Sequence, residues 1–286
     1  MTKDMPVETA TQYCSEMLRR HDRDRYLTTL FAPPAARPRL IALYAFNLEI
    51  ARVREAVSEP MMGEIRLQWW REAVAETEAG QPRRHRVAEA LAEAVGEGGL
   101  SGTTLLALID ARARDLDDTR FARLDDLVAY AEATSSMLLA AALDLLGVAD
   151  GGVRRAARAV GIAYALTGLM RAVPFHTGQR RLFLPLDLLE RHGVSPQGLF
   201  DRPAPERLSP VLAELADTAA SHLNEAKAAA PRPPAAAVPV LLHATLARRQ
   251  LARLRRHGFN PYEIPLEGGQ GGDALALALK AWRRRF

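Results

Sequence analysis

The sequence predicts an all-α protein built as a single helical bundle, and three observations predict it. Apolar residues recur at helical spacing in nearly every segment, as at Leu67, Trp70 and Val74 or at Val87, Leu91 and Val95. No stretch alternates apolar and polar residues as a half-buried strand does. No repeat of fixed period divides the chain, and its 286 residues are enough to bury a large core. Residues 1–286 therefore read as one domain, with a helix or arm over 1–20 and a basic helix over 273–286.

Each element follows from its pattern. Leu40, Leu43, Tyr44, Phe46, Leu48 and Val53 crowd one long helix, and Leu67, Trp70 and Val74 mark the next. The helix of Val87, Leu91 and Val95 is ended by Gly96 and Gly99, and Leu105, Leu108, Ile109, Arg112 and Leu116 carry a further one. Another runs from about 125 through LLAAALDLLG and closes at Gly147. A helix follows over about 153–173, then a turn or two near Leu186, then a helix over about 209–229. AAPRPPAAAVP reads as a Pro-broken linker, and GGQGG as a flexible joint before a last helix with Asp273 as its N-cap.

Composition excludes several classes. With 48% hydrophobic and 25% charged residues the chain has the make-up of a soluble globular protein. Its apolar runs fall short of the roughly 20 residues a membrane span needs. The start, MTKDMPVETATQYCSEM, lacks the pattern of a secretory signal, and the lone Cys14 cannot form an internal disulfide; both point to the cytoplasm. Of 38 basic residues only Lys3, Lys227 and Lys280 are lysine, and the arginines cluster in QPRRHR, ARRQLARLRRHG and KAWRRRF. Such clusters are solvated helix faces or contacts with an anionic membrane. ALALALKAWRRRF favours peripheral contact with the membrane, since it joins an apolar face to a basic aromatic end. Nucleic acid is not indicated, because no stacking or groove-reading motif accompanies the charge. The seven histidines show no pair three or four apart, so no metal site of the helical kind is expected, and no motif calls for a cofactor. DLDD, at 115–118, is either a cation site or a solvated turn with capping acids.

One stretch raises a functional question. GLMRAVPFHTGQRRLFLPLDLL, residues 168–189, keeps Arg171, Arg180 and Arg181 yet has no acid until Asp187. Together with ALYAFNLEIARVRE, IRLQWWREAV, DARARDLDD and YAEATSS it resembles the squalene/phytoene synthase family, in order from about 26 to 282. The resemblance implies an isoprenoid synthase bundle around a central apolar cavity, and enzymes that join two prenyl diphosphates with the help of magnesium. In those enzymes a first motif, approximately YAFCRxxDDxxDE, sets acids four apart on one helix face. Here the matching positions hold Ala51, Arg52 and Glu55. A second motif, approximately NxxRDxxED, matches Gly168, Arg171, Ala172, Phe175 and His176, with Pro174 between them. Asp110 and Asp115 match further family acids and are candidate partners of Arg66, Arg71 or Arg114.

Diphosphate departure creates negative charge that metals must neutralise, and Glu55 alone is a poor platform for them. The resemblance thus implies a pseudoenzyme with no catalytic residue. Asn47 with Glu49, VSEP, AVPFH with RRLFLP, and HGVS are similar to the branch of this superfamily that includes the mitochondrial complex I assembly factor. That implies complex I subunits or assembly intermediates as partners, at the inner face of the membrane. Two rivals stand: a divergent prenyl transferase in which Arg171, Arg180 and Arg181 hold the diphosphate, and an isoprenoid or lipid carrier. Tyr44, Phe46, Trp69, Trp70, Tyr130 and Tyr164 are candidate linings of a retained cavity. Arg171 needs an anion nearby if it is buried, and Glu55 is its expected partner.

Overall fold

The computed structural model describes residues 8–96, 99–117, 120–201, 205–264 and 270–286. Among the described residues every regular element is a helix. They group into two compact units, one formed by the chain up to Leu116 with Asp144–Gly147, the other by Asp117–Leu143 and Val148–Phe286.

The first unit is built from α1 (Ala10–His21), α2 (Arg23–Thr29), α3 (Arg37–Ala51), α4 (Pro60–Glu78), α5 (Arg86–Gly96) and α6 (Gly102–Ala113). The N-terminal region expected as a helix or arm is the helix α1. Thr9 starts it with a capping box, its hydroxyl accepting from the Gln12 amide while Gln12 reaches back to the Thr9 amide. α3 is apolar nearly all round, and Leu40 to Leu48 are buried without a break. A helix of that composition must be surrounded, and α1 and α5 pack on it. α4 packs on α5 and α6 through Leu67, Trp70 and Val74, which are buried as their spacing predicts. At Gly63 a Cβ would sit 2.3 Å from Leu116 Cδ2, so a larger residue there would require the Leu116 side chain to shift.

The second unit holds α7 (Leu124–Ala131), α8 (Met137–Leu145, which crosses into the first unit at Asp144), α9 (Gly151–Arg171), α10 (Val173–Gly178), α11 (Leu186–Arg191), α12 (Pro196–Asp201), α13 (Pro205–Ala229), α14 (Val238–Leu241), α15 (His243–Arg256) and α16 (Gln270–Trp282). α9 is its axis, packed by α13 and α15. Residues 132–136, the EATSS of YAEATSS, widen into a π-helical turn that also lies on α9. Gly161 permits that contact, since a Cβ there would come within 2.5 Å of Ser136 Cα. The Ser136 hydroxyl donates to the Arg158 carbonyl at 2.6 Å, and Arg158 forms a two-pronged ion pair with Glu132.

Several boundaries differ from the sequence reading. The long helix expected to include Val53 ends at Ala51, where the bonds tighten to the three-residue kind and a 3₁₀ turn covers Arg54–Ala56. α13 begins at Pro205 rather than near 209 and continues through Pro210. A proline in the second turn removes a single intrahelical bond, and the Ser209 hydroxyl donates to the Pro205 carbonyl at 3.0 Å. The linker AAPRPPAAAVP contains a 3₁₀ turn at Ala235–Ala237 and runs into α14. α16 starts at Gln270, so Asp273 is not its N-cap. It lies inside the first turn, buried, and accepts from Arg249 and, at 3.0 Å, from Arg253 of α15. The glycines 268 and 269 of GGQGG, and Asp118 of DLDD, lie outside the described residues.

Candidate functional site

The first motif sits where α3 gives way to the turn. Ala51 is the last helical residue, Arg52 the C-cap, and Glu55 lies within the 3₁₀ turn. Positions four apart line one face only while the helix continues, and here it does not. Arg52 and Glu55 form a loose ion pair at 3.9 Å, both side chains over two-fifths exposed, a contact worth little in water.

Around this turn the first unit opens a cleft of about 390 Å³, lined by Leu48, Glu49, Arg52, Val53, Glu55, Ala56, Arg66, Trp69, Trp70 and His85. Its floor is aromatic. Phe46, fully buried, meets Trp70 edge-on at 5.4 Å, Trp70 meets Trp69 at 5.0 Å, and the His85 ring lies 5.3 Å and 5.2 Å from the two indoles. Arg83 covers Trp69 at 5.3 Å while gripping Glu72 at 2.8 Å and Glu76 at 2.6 Å, which fixes the indole's outer face. Two carboxylates and two guanidiniums balance at the cleft, so it cannot concentrate divalent cations as paired acids would. Among the described residues no group of three or more His, Cys, Asp or Glu could hold a metal ion. Of the aromatic linings expected, Trp69 and Trp70 line this cleft, whereas Tyr44 and Phe46 are core, 1% and 0% exposed. Nearby, Arg71 holds Asp110 at 2.9 Å, and Asp115 is paired with Arg112 at 3.3 Å.

The second motif lies at the end of α9. Nothing comes within 4 Å of a Cβ built at Gly168. Arg171 is the last helical residue and is partly buried, and Ala172 caps it. The helix stops three residues before Pro174, which takes the second position of α10, where a missing N–H is harmless. Glu55, the expected partner of Arg171, belongs to the first unit and lies 3.9 Å from Arg52. Within its own unit Arg171 meets no carboxylate in ion-pair range among the described residues.

His176 lies against Phe183, centroids 4.5 Å apart, and its Nδ1 is buried with no hydrogen-bond partner. Burial, and then the charge of Arg181, push its pKa down to about 4, so the ring is neutral at pH 7. Arg181 lies over the Phe183 ring at 5.1 Å, and the Tyr130 ring is 6.1 Å from that of Phe183. Phe183 thus brings Tyr130, His176 and Arg181 together. Arg180 goes elsewhere: from a left-handed backbone at φ 55° it pairs with Asp201 at 3.3 Å and covers Phe200 at 5.5 Å. Tyr164 packs edge-on against the buried His243 at 5.0 Å. The hollow beside His176 measures about 10 Å³, room for one water at most.

Comparison with known proteins decides the lineage. The sequence profile of squalene/phytoene synthase matches residues 18–277. The chain belongs to the squalene/phytoene synthase family. Its fold agrees: a squalene synthase from Alicyclobacillus acidocaldarius superposes with a TM-score of 0.75 at 23% identity, covering 90% of this chain and 98% of that one. A dehydrosqualene synthase superposes with a TM-score of 0.81 at 18% identity, covering 96% of each chain. Within the family, the chain is 35% identical to the NADH dehydrogenase (ubiquinone) complex I assembly factor 6 of Rattus norvegicus, over 96% of this chain and 82% of the relative. The human protein of that name is 32% identical over the same shares. Phytoene synthase 3 of Zea mays is more distant, 22% identical over 69% of this chain and 48% of its own length.

Sequence reasoning missed His85, Arg66 and Glu49 as cleft residues. His85 stands in QPRRHR, which reads as a solvated basic run; the only local hint was the Trp69–Trp70 doublet, which needs a third ring to close against.

Proposed function

We infer that this chain is a non-catalytic member of the squalene/phytoene synthase family that helps assemble the respiratory NADH:quinone oxidoreductase. The observation that carries the reading is its 32–35% identity, across 96% of its length, to complex I assembly factors of rat and human. The first motif supports it, because Ala51, Arg52 and Glu55 offer one carboxylate, paired with a cation and displaced from the helix face. The partners are then subunits or assembly intermediates of that complex, met at the surface of the membrane that holds it. No described helix is long and apolar enough to cross a membrane. An isoprenoid or lipid bound without chemistry fits the aromatic floor of the cleft beside Trp69.

The rival is a prenyl transferase, which family membership alone would suggest. Purified protein incubated with farnesyl diphosphate and magnesium separates the two. The non-catalytic reading expects no release of diphosphate, and steady, chelator-sensitive turnover would overturn it.

A further inference from the structure

The outer face of α16 is dressed unlike any other helix in the second unit. Leu275, Leu279 and Trp282, spaced four and three apart, share one stripe and are 73%, 45% and 79% exposed. The opposite side is firmly held: Leu277 is fully buried, and Asp273 is clamped by Arg249 and Arg253. The apolar stripe is therefore not a helix waiting to rotate inward.

Around Lys280 the chain gathers cations from three helices. Lys227 comes from the last turn of α13. Arg248 comes from α15, tied to α13 by a hydrogen bond to the Leu223 carbonyl at 3.1 Å. Lys280, Arg283 and Arg285 come from the end of α16. Burial, and then Arg248, Arg285, Lys227 and Arg283, hold the Lys280 ammonium below the usual lysine value. Among the described residues none of the five forms an ion pair.

The end of α16 fixes this arrangement. The Arg284 amide donates to Ala281 and the Arg285 amide to Lys280, at 3.0 Å and 2.9 Å, which is a Schellman turn, and Phe286 is buried behind it. That turn needs a left-handed residue, and where glycine would be unstrained the chain has Arg284 at φ 48°.

We propose that this face of α16 docks on an anionic phospholipid membrane. A lipid phosphate is held by Lys227, Lys280, Arg283 and Arg285, while Leu275, Leu279 and Trp282 enter the acyl boundary. The complementarity is with phosphate, and Trp282 sits at the junction of apolar stripe and charge, where an indole belongs in a membrane interface. A second copy meeting through the same face would oppose five cations to five. Three side chains also fall well short of the roughly 800 Å² per partner that a stable protein interface buries.

The proposal rests on the membrane placement in the preceding reading but needs no respiratory component, so its failure would leave the assembly role standing. The test is sedimentation of the full chain with vesicles of phosphatidylcholine, with and without phosphatidylglycerol. Binding should require the anionic lipid and weaken with salt. Each removed charge should weaken it about fivefold, so K280Q with R283Q should cost about twenty-fivefold. L275Q with W282Q should abolish whatever binding survives high salt. All these residues except Lys280 are exposed, and unchanged far-ultraviolet dichroism confirms that the variants fold. Equal binding to neutral vesicles would overturn the phosphate site, as would wild-type binding by K280Q with R283Q. Absence of vesicle binding, with self-association that L275Q with W282Q disrupts, would overturn the membrane in favour of a second copy.

Discussion

Gly161 should be the least replaceable glycine of α9. A methyl group there would lie 2.5 Å from Ser136 Cα and 2.6 Å from Ser136 N and Oγ, where ordinary contact is about 3.5–4.0 Å. Two of those atoms are backbone, so relief requires α9 and the π-helical turn to part by about 1 Å. That movement stretches the hydrogen bond from Ser136 to the Arg158 carbonyl and drags on the pair of Arg158 with Glu132. Overpacking costs about 1–3 kcal/mol and the weakened hydrogen bond about 1 kcal/mol more. Alanine's helix propensity returns up to about 1 kcal/mol, leaving Gly161→Ala about 2 kcal/mol less stable. Gly168, in the same helix and in the second motif, is the control. Nothing lies within 4 Å of its added Cβ, so Gly168→Ala should be neutral or stabilising by up to about 1 kcal/mol. Urea unfolding of both variants, compared at equal slope, measures the difference. Gly161→Ala as stable as the native chain, or equal losses at both positions, would refute the packing argument.

Other consequences are as direct. Asp273→Asn leaves the guanidiniums of Arg249 and Arg253 facing a neutral amide in a partly buried site. It should cost about 2–3 kcal/mol and make α16 the first target of limited trypsin digestion. His176 titrates at about 4 in the folded chain and near 6.5 when unfolded. The unfolded state therefore binds the proton first. Stability from this group is complete above pH 6.5 and declines as pH falls toward 4, by about 3 kcal/mol in all. His176→Phe should flatten that part of the profile in pH-dependent unfolding. Arg71→Met should matter little, under about 1 kcal/mol, because its partner Asp110 is mostly exposed.

The helices were legible because burial follows their period: Leu67, Trp70 and Val74, or Val87 and Leu91, are buried as spacing demands. Their ends were less so. The stop of α3 at Ala51 leaves no proline or glycine to read, and α13 passes through Pro210, which sits in the second turn and forfeits one intrahelical bond. Asp273 reads as a cap from its position after glycines, yet it serves two arginines about twenty residues earlier on another helix, which no local pattern records. The same holds for Arg180, whose partner Asp201 lies 21 residues on at the end of α12, and for His85 beside two tryptophans. Residue identities at the two motifs were visible in the sequence; what each side chain touches was not.

The central claim is that the chain supports assembly of the NADH:quinone oxidoreductase without prenyl chemistry. Deleting the gene in its host, and assaying each respiratory complex alongside the isoprenoid hydrocarbons, tests it most directly. The account predicts a loss of complex I activity that the native gene restores, with the other complexes and the hydrocarbons unchanged. Normal complex I with an altered hydrocarbon profile would contradict it.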